Sequence, residues 1–265
     1  MAGIYLHIPF CKQACYYCDF HFSTNMQLRE SMVQAIIQEM EMRREYLQGQ
    51  TINTIYFGGG TPSLLNQRQL QSILNSVHRL FPVAPQVEMT LEANPDDLTP
   101  DILRELQSLG INRLSIGIQS FHDEVLRWMN RAHSSHEGIG VVEEAHEAGF
   151  ENLSLDLIYG LPIGPAERWE KDVEQMLLLD PPHISAYCLT IEPNTVFGKR
   201  HQKGAFQITD EEQIVKEYHY LTERLRGAGY NHYEVSNFGK ANWYSQHNTS
   251  YWHQIHYLGL GPSAH

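Results

Sequence analysis

Residues 4–18 read IYLHIPFCKQACYYC, a short β-rich run, Ile4–Ile8, that passes directly into three cysteines, Cys11, Cys15 and Cys18. The spacing is Cys-x3-Cys-x2-Cys. Three thiolates on one short loop suit three corners of a cubane iron–sulfur cluster, and the fourth iron is then open to a substrate group. Structural zinc sites usually draw four ligands, often from two Cys-x2-Cys pairs. Only one such pair occurs here, so a zinc site completed by a histidine is the alternative reading. The remaining cysteine, Cys188, alternates along its strand with Ile184 and Ala186 and reads as a small buried hydrophobe.

Outward from that loop, a β-rich run, a turn and a helical stretch recur. The strand candidates are Ile4–Ile8, Thr54–Phe57, Val87–Glu92, Arg113–Ile118, Asn152–Leu157 and His183–Thr190. The helix candidates are Met26–Leu47, Gln67–Leu80, Pro100–Leu109, His136–Ala148, Ala166–Leu179 and Asp210–Gly229. Strands alternating with helices of this length predict βαβ units, an α/β class and a parallel sheet. Six units fit a closed or partly closed barrel, with a doubly wound open sheet as the alternative.

The strands carry a second signal. Alternation puts Tyr5 and His7 opposite Ile4, Leu6 and Ile8. Likewise Glu88, Thr90 and Glu92 oppose Val87, Met89 and Leu91, while Ser115, Gly117 and Gln119 oppose Leu114, Ile116 and Ile118. Ser154 and Asp156 oppose Leu153, Leu155 and Leu157. Outer helices need the apolar face, so the polar face must point inward. The expectation is a lined cavity in place of a core filled with branched apolar residues.

Composition fits a globular domain. Apolar residues make up 42% of the 265, which excludes a disordered chain, a collagen and a simple coiled coil. Thirty-one acids against nineteen bases leave −12, so bulk nucleic-acid binding is not expected. No apolar run approaches the ~18 residues of a membrane helix. The opening MAGIYLHIPFCKQAC has neither a basic leader nor a cleavage-like site. The expected location is therefore the cytoplasm, where clustered cysteines point to metal in preference to disulfides.

HIPFCKQACYYC after a first strand resembles the radical S-adenosylmethionine (SAM) superfamily. FGGGTPSLL, LEANPDDLT, RLSIGIQSF, NRAHS and LDLIYGLP resemble, in order and spacing, one branch of it. That branch contains the oxygen-independent coproporphyrinogen III oxidases and the HemW-type heme chaperones. The resemblance covers essentially the whole chain. It implies a partial (β/α)6 TIM-like barrel over residues 1–230, with a cluster loop at 9–20 and a C-terminal extension, 231–265, closing the barrel. It also implies a further C-terminal domain that this sequence does not include, so truncation is expected.

The cofactors implied are a [4Fe–4S] cluster on Cys11, Cys15 and Cys18, SAM, and heme as cargo. Tyr17 is similar to an aromatic packed near the adenine, and Tyr5 to a first-strand tyrosine near SAM. Gly58, Gly59 and Gly60 match the glycines that approach the methionine part, and Glu92 the carboxylate that accepts from the ribose hydroxyls. Gln119, Arg131 and Asp156, with Gly60 and Thr61, match contacts to a second SAM in the oxidase. Each has a plainer reading alone: a tight turn for the glycines, a barrel aromatic for Tyr5, a solvated carboxylate for Glu92, a surface base for Arg131 and a strand-end cap for Asp156.

Two features separate the branch members. The oxidases carry a fourth cysteine two residues after the third, where this chain has Phe20, as HemW-type proteins do. The oxidases also carry a longer N-terminal segment. Near the C-terminus, Gln246-His247-Asn248-Thr249-Ser250-Tyr251-Trp252 resembles the HemW-type His-Asn-x-x-Tyr-Trp motif, followed by YLGLGPSAH. His247 is thus a candidate heme contact, with a cap on the barrel end as its plain alternative; His7, His253 and His256 are further candidates. The resemblance implies a chaperone that binds heme and hands it to apo-hemoproteins such as respiratory enzymes, with an electron donor for the cluster. The alternatives are radical decarboxylation of coproporphyrinogen III, radical SAM chemistry on another substrate, and a non-catalytic zinc module.

Overall fold

The alternation in the first run is realised as β1, Ala2–Ile8, whose Ile4, Leu6 and Ile8 are buried toward the helices. The computed structural model describes residues 1–165 and 167–264. Five more parallel strands follow: β2 (Ile52–Gly59), β3 (Val83–Ala93), β4 (Arg113–Gln119), β5 (Leu153–Tyr159) and β6 (His183–Cys188). The helices between them are α1 (Arg29–Met42), α2 (Gln67–Leu80), α3 (Pro100–Ser108), α4 (Asp123–Trp128), α5 (Ser135–Glu147) and α6 (Arg168–Leu179). α7 (Val196–Gln202) and α8 (Glu211–Gly227) follow β6. The fold is α/β with a parallel sheet lined by helices, as expected. Among the described residues no helix is long and apolar enough to cross a membrane.

Local chemistry explains the best-defined helix. Asn66 and Gln69 form a capping box that satisfies two backbone N–H groups at the start of α2. Its Leu70, Ile73, Leu74 and Val77 fall on one face and are buried. Each such side chain contributes about 1.5–3 kcal/mol on leaving water. α1 is shorter than the sequence suggests. It is preceded by a 3-10 turn and stops at Met42; the next residue, Arg43, leaves the helical backbone conformation and turns its guanidinium to the Gly259 carbonyl at 2.6 Å. That tertiary bond has no local signature. The first residue of the candidate Ala166–Leu179 lies outside the described residues; α6 runs from Arg168.

The remaining chain is strung between both sheet edges. β7 (Asn231–His232) and β8 (Asn237–Gly239) add antiparallel strands beside β6. α9 (Gln246–Trp252) packs near β2, and β9 (Tyr257–Leu260) pairs parallel with β1. The strand order is β7-β8-β6-β5-β4-β3-β2-β1-β9, a nine-stranded sheet whose two ends are not hydrogen-bonded to each other.

Candidate functional site

β1 ends at Ile8 and delivers the cysteine loop to the carboxyl ends of the parallel strands, where α/β barrels place their sites. There the sheet opens into a cavity of about 580 Å³. Cys11, Cys15, Cys18 and Tyr17 form one wall. Gly59 at the end of β2, Gly60 and Thr61 just after it, and Glu92 near the end of β3 form the next. Gln119, Arg131 and Asp156 complete it with Ser115 and Tyr187. Phe20 stands at the lip, 71% exposed.

The loop is fastened at several points. Ser23 N–H donates to the Pro9 carbonyl at 2.6 Å, and Cys11 N–H to the Ser23 carbonyl at 3.1 Å. The turn after α4 grips its middle: Tyr16 N–H donates to the Met129 carbonyl at 3.0 Å. Gln13 Nε2 donates to the Asn130 carbonyl, and Asn130 Nδ2 to the Ala14 carbonyl, both at 2.8 Å. Lys12 pairs with Asp96 at 2.8 Å and with Asp97. Tyr16 lies edge-on to Phe197 and under the Arg200 guanidinium at 4.2 Å.

Burial pushes the Cys11 thiol above its ordinary pKa, and the Cys18 thiol up to about 11. Without metal these positions hold thiols, and ligation must displace their protons. Among the described residues no three Cys, His, Asp or Glu side chains converge as ligands of a single ion. A cubane asks for a different arrangement, because each thiolate meets its own iron corner. Three cysteines on one loop supply the donor set that such a cluster takes. The buried Arg131 Nε, with no hydrogen-bond partner among the described residues, is a donor left for a bound group.

Glu92 accepts from Tyr56 hydroxyl at 2.8 Å and from Gly59 N–H at 3.1 Å. Burial raises its pKa, opposed by those two donors and the Arg113 charge. Gly59 sits at φ +107°, and a Cβ there would lie 2.6 Å from the His7 ring. Gly60 passes so close to the cysteine loop that its Cβ would meet the Phe10 carbonyl oxygen at 2.8 Å. Side chains are thus excluded from this turn. Gln119 takes φ +68° at the end of β4, a strained conformation of the kind concentrated at functional sites.

Arg131 is held by two acceptors. Its Nη2 donates to Asn94 Oδ1 and to the Gly117 carbonyl, each at 2.6 Å. Its Nη1 donates to Cys15 Sγ and Tyr17 hydroxyl, each at 3.5 Å. Asn94 is a site residue that sequence reading missed; its only signal is the Asn-Pro pair that opens the turn after β3.

Tyr5, Gly58 and His247 do not line the cavity. Tyr5 hydroxyl pairs with His7 Nδ1 at 3.2 Å, beneath the glycine turn. Gly58 lies against Tyr56, Glu92 and Tyr5. His247 is 1% exposed at the opposite, amino-terminal end of the strands. Its Nδ1 pairs with Thr54 Oγ1 at 2.7 Å and its Nε2 with Tyr251 hydroxyl at 2.9 Å. Burial, then the Arg113 charge, lowers its pKa to about 3. Glu88 accepts the His247 and Gln246 N–H groups at 3.1 Å, so α9 is pinned across the barrel end. This is the geometry of a cap. Of the other histidines, His253 and His256 are exposed. Cys188 departs from its sequence reading: it ends β6 half-buried and reaches the cavity rim.

Burial, then the charge of Glu92, raises Asp156 to about 7. The folded chain therefore keeps a proton that the unfolded chain loses near pH 4. Stability is fully present below about pH 4 and is lost as pH rises toward 7. Asp156→Asn removes this loss. The metal-free variant is expected to gain in thermal midpoint over wild type at pH 8 and to gain less at pH 5. Equal differences at both pH values, read by circular dichroism, would contradict the assignment.

Comparison with known proteins follows the same lines. The radical SAM superfamily model matches residues 5–176. The heme chaperone HemW of Lactococcus lactis subsp. lactis (strain IL1403) is 38% identical over 260 residues, which are 98% of this chain and 68% of that protein. The heme chaperone HemW of Bacillus subtilis (strain 168) is 38% identical over 267 residues, 100% of this chain and 70% of that protein. Among solved structures, coproporphyrinogen III oxidase (HemN) from Escherichia coli, a radical SAM enzyme, superposes with a TM-score of 0.85. It is 25% identical and covers 99% of this chain and 64% of its own. The chain thus spans about two thirds of the length of these proteins. With a three-cysteine loop set at the mouth of a parallel α/β sheet, and relatives this similar along nearly its whole length, the chain belongs to the radical SAM superfamily and, within it, to the HemW-type heme chaperones.

Proposed function

We propose that the chain holds a [4Fe–4S] cluster on Cys11, Cys15 and Cys18, binds SAM in the adjoining cavity, and serves to bind heme and deliver it to apo-hemoproteins. The observation that carries the chaperone reading is 38% identity, over nearly the whole chain, to proteins named heme chaperone. When bound, cluster and SAM supply a low-potential electron and a sulfonium to receive it. The chain's own residues do the rest. Glu92 offers a buried carboxylate for hydroxyl donors, and the Gly59–Gly60 turn offers exposed backbone groups. Tyr17 supplies an apolar face beside the cysteines.

Phe20 supports a carrier over a decarboxylase, because it stands where the oxidases of this branch carry a fourth cysteine. His247 has both ring nitrogens engaged, so heme ligation there requires α9 to release Tyr251. The acceptors are hemoproteins such as respiratory enzymes, and a cytoplasmic electron donor serves the cluster. A second reading, radical decarboxylation of coproporphyrinogen III, draws on the likeness to the E. coli oxidase.

One experiment separates them. The chain, with its cluster reconstituted anaerobically, is given SAM, dithionite and coproporphyrinogen III, and a parallel sample is titrated with heme. No protoporphyrinogen IX and a stoichiometric Soret shift are expected. Turnover of the porphyrinogen, or no heme binding, would overturn the chaperone reading.

A further inference from the structure

Asn94 is bonded to two polar side chains that face cysteine sulfurs, Arg131 and Thr61. Its Oδ1 accepts from Arg131 Nη2 at 2.6 Å, and its Nδ2 donates to Thr61 Oγ1 at 3.2 Å. Arg131 Nη1 donates to Cys15 Sγ, and Thr61 Oγ1 to Cys11 Sγ, each at 3.5 Å. The Gly117 carbonyl takes a second bond from Arg131 Nη2 at 2.6 Å. One nitrogen of the guanidinium is therefore anchored twice, and the other is presented to sulfur. One amide fixes both donors at once, through its two different ends.

We infer that Asn94 is a positioning residue that, by aiming Arg131 at Cys15 and Thr61 at Cys11, raises the reduction potential of the cluster. This rests on the cofactor reading above. Reduction adds one electron, supplied by a low-potential donor, and breaks no bond. The added charge spreads over the sulfurs, where hydrogen bonds and nearby cations stabilise it. Arg131 suits the task because a guanidinium stays charged at any working pH. Its place in the cavity wall, half-buried, leaves the interaction less screened than in bulk water. The inference also changes what Arg131 offers a ligand: Nη2 is committed to the protein, and Nε remains.

The test is a redox titration of the reconstituted chain, followed by the EPR signal of the reduced cluster. Four proteins are compared: wild type, Arg131→Met, Asn94→Ala, and Arg104→Met. Arg104 is an exposed base on α3 and controls for simple loss of charge. Arg131→Met is expected to lower the equilibrium constant for reduction about tenfold, which is about 59 mV for one electron. Asn94→Ala is expected to shift the potential in the same direction by less, with iron content unchanged. Arg104→Met is expected to leave it in place. Variants that load iron fully and titrate at the wild-type potential would overturn the inference while leaving the cofactor reading intact. Should Arg131→Met fail to load, Asn94→Ala decides. A wild-type chain that takes up no iron would sink the cofactor reading itself.

Discussion

Replacing Cys15 with alanine is expected to reduce bound iron from about four atoms per chain to background. Cys15 lies at the middle of the loop, tied on one side to Asn130 through the Ala14 carbonyl and on the other to Met129 through Tyr16 N–H. Its sulfur also receives Arg131 Nη1. A cubane with two protein thiolates has two exposed corners and loses its iron to solvent and chelator. The fold is expected to survive, because the loop is fastened by backbone bonds and by Lys12 with Asp96, not by the sulfur. Iron and sulfide assays on anaerobically reconstituted protein measure the loss. Cys188→Ala is the comparison. Cys188 ends β6, outside the loop, and its variant is expected to keep full iron. A Cys15→Ala protein that retains iron, or a Cys188→Ala protein that loses it, would contradict the ligand set.

Glu92→Gln is expected to weaken SAM binding by about 10- to 150-fold, the equivalent of about 1.5–3 kcal/mol for a hydrogen bond to a charged group. The carboxylate bridges Tyr56 and the Gly59 N–H, so each oxygen already has one donor and keeps a lone pair toward the cavity. An amide of the same shape must turn its NH2 toward one of those donors. It then loses an acceptor at the ligand and leaves a buried donor facing a donor. Arg113, buried in the same polar interior, helps to keep Glu92 ionised, and the amide discards that interaction. Calorimetric titration with SAM reads the affinity, and the iron assay confirms that the cluster is unchanged. Unaltered affinity in a fully loaded Glu92→Gln protein would remove Glu92 from the ligand site.

The sequence makes the frame of this site readable because period-2 alternation needs no tertiary information. Glu92, Ser115, Gln119 and Asp156 share the inward face by parity alone, and they line one cavity. α2 is readable to the residue because Asn66 and Gln69 write its start into the chain. The cysteine spacing is a local chemical pattern of the same kind. What stays hidden depends on distant partners. α4, α7 and α9 are too short for periodicity to mark. α9 is held by Glu88 and Thr54, which lie far away in sequence. For the same reason His247 looks like an available imidazole in the sequence and is an engaged one in the fold. β9 is a four-residue run whose pairing with β1 only the folded chain reveals. Asn94 carries only the turn signal of its Asn-Pro pair, and three dimensions put it between Thr61 and Arg131.

The most direct test of the central claim, a three-cysteine cluster with one iron open to SAM in this cavity, is EPR of the reduced, reconstituted chain with and without SAM. Addition of SAM is expected to change the g-values of the wild-type signal, and to change those of Glu92→Gln only at SAM concentrations about 10- to 150-fold higher. A wild-type signal indifferent to saturating SAM would contradict the account.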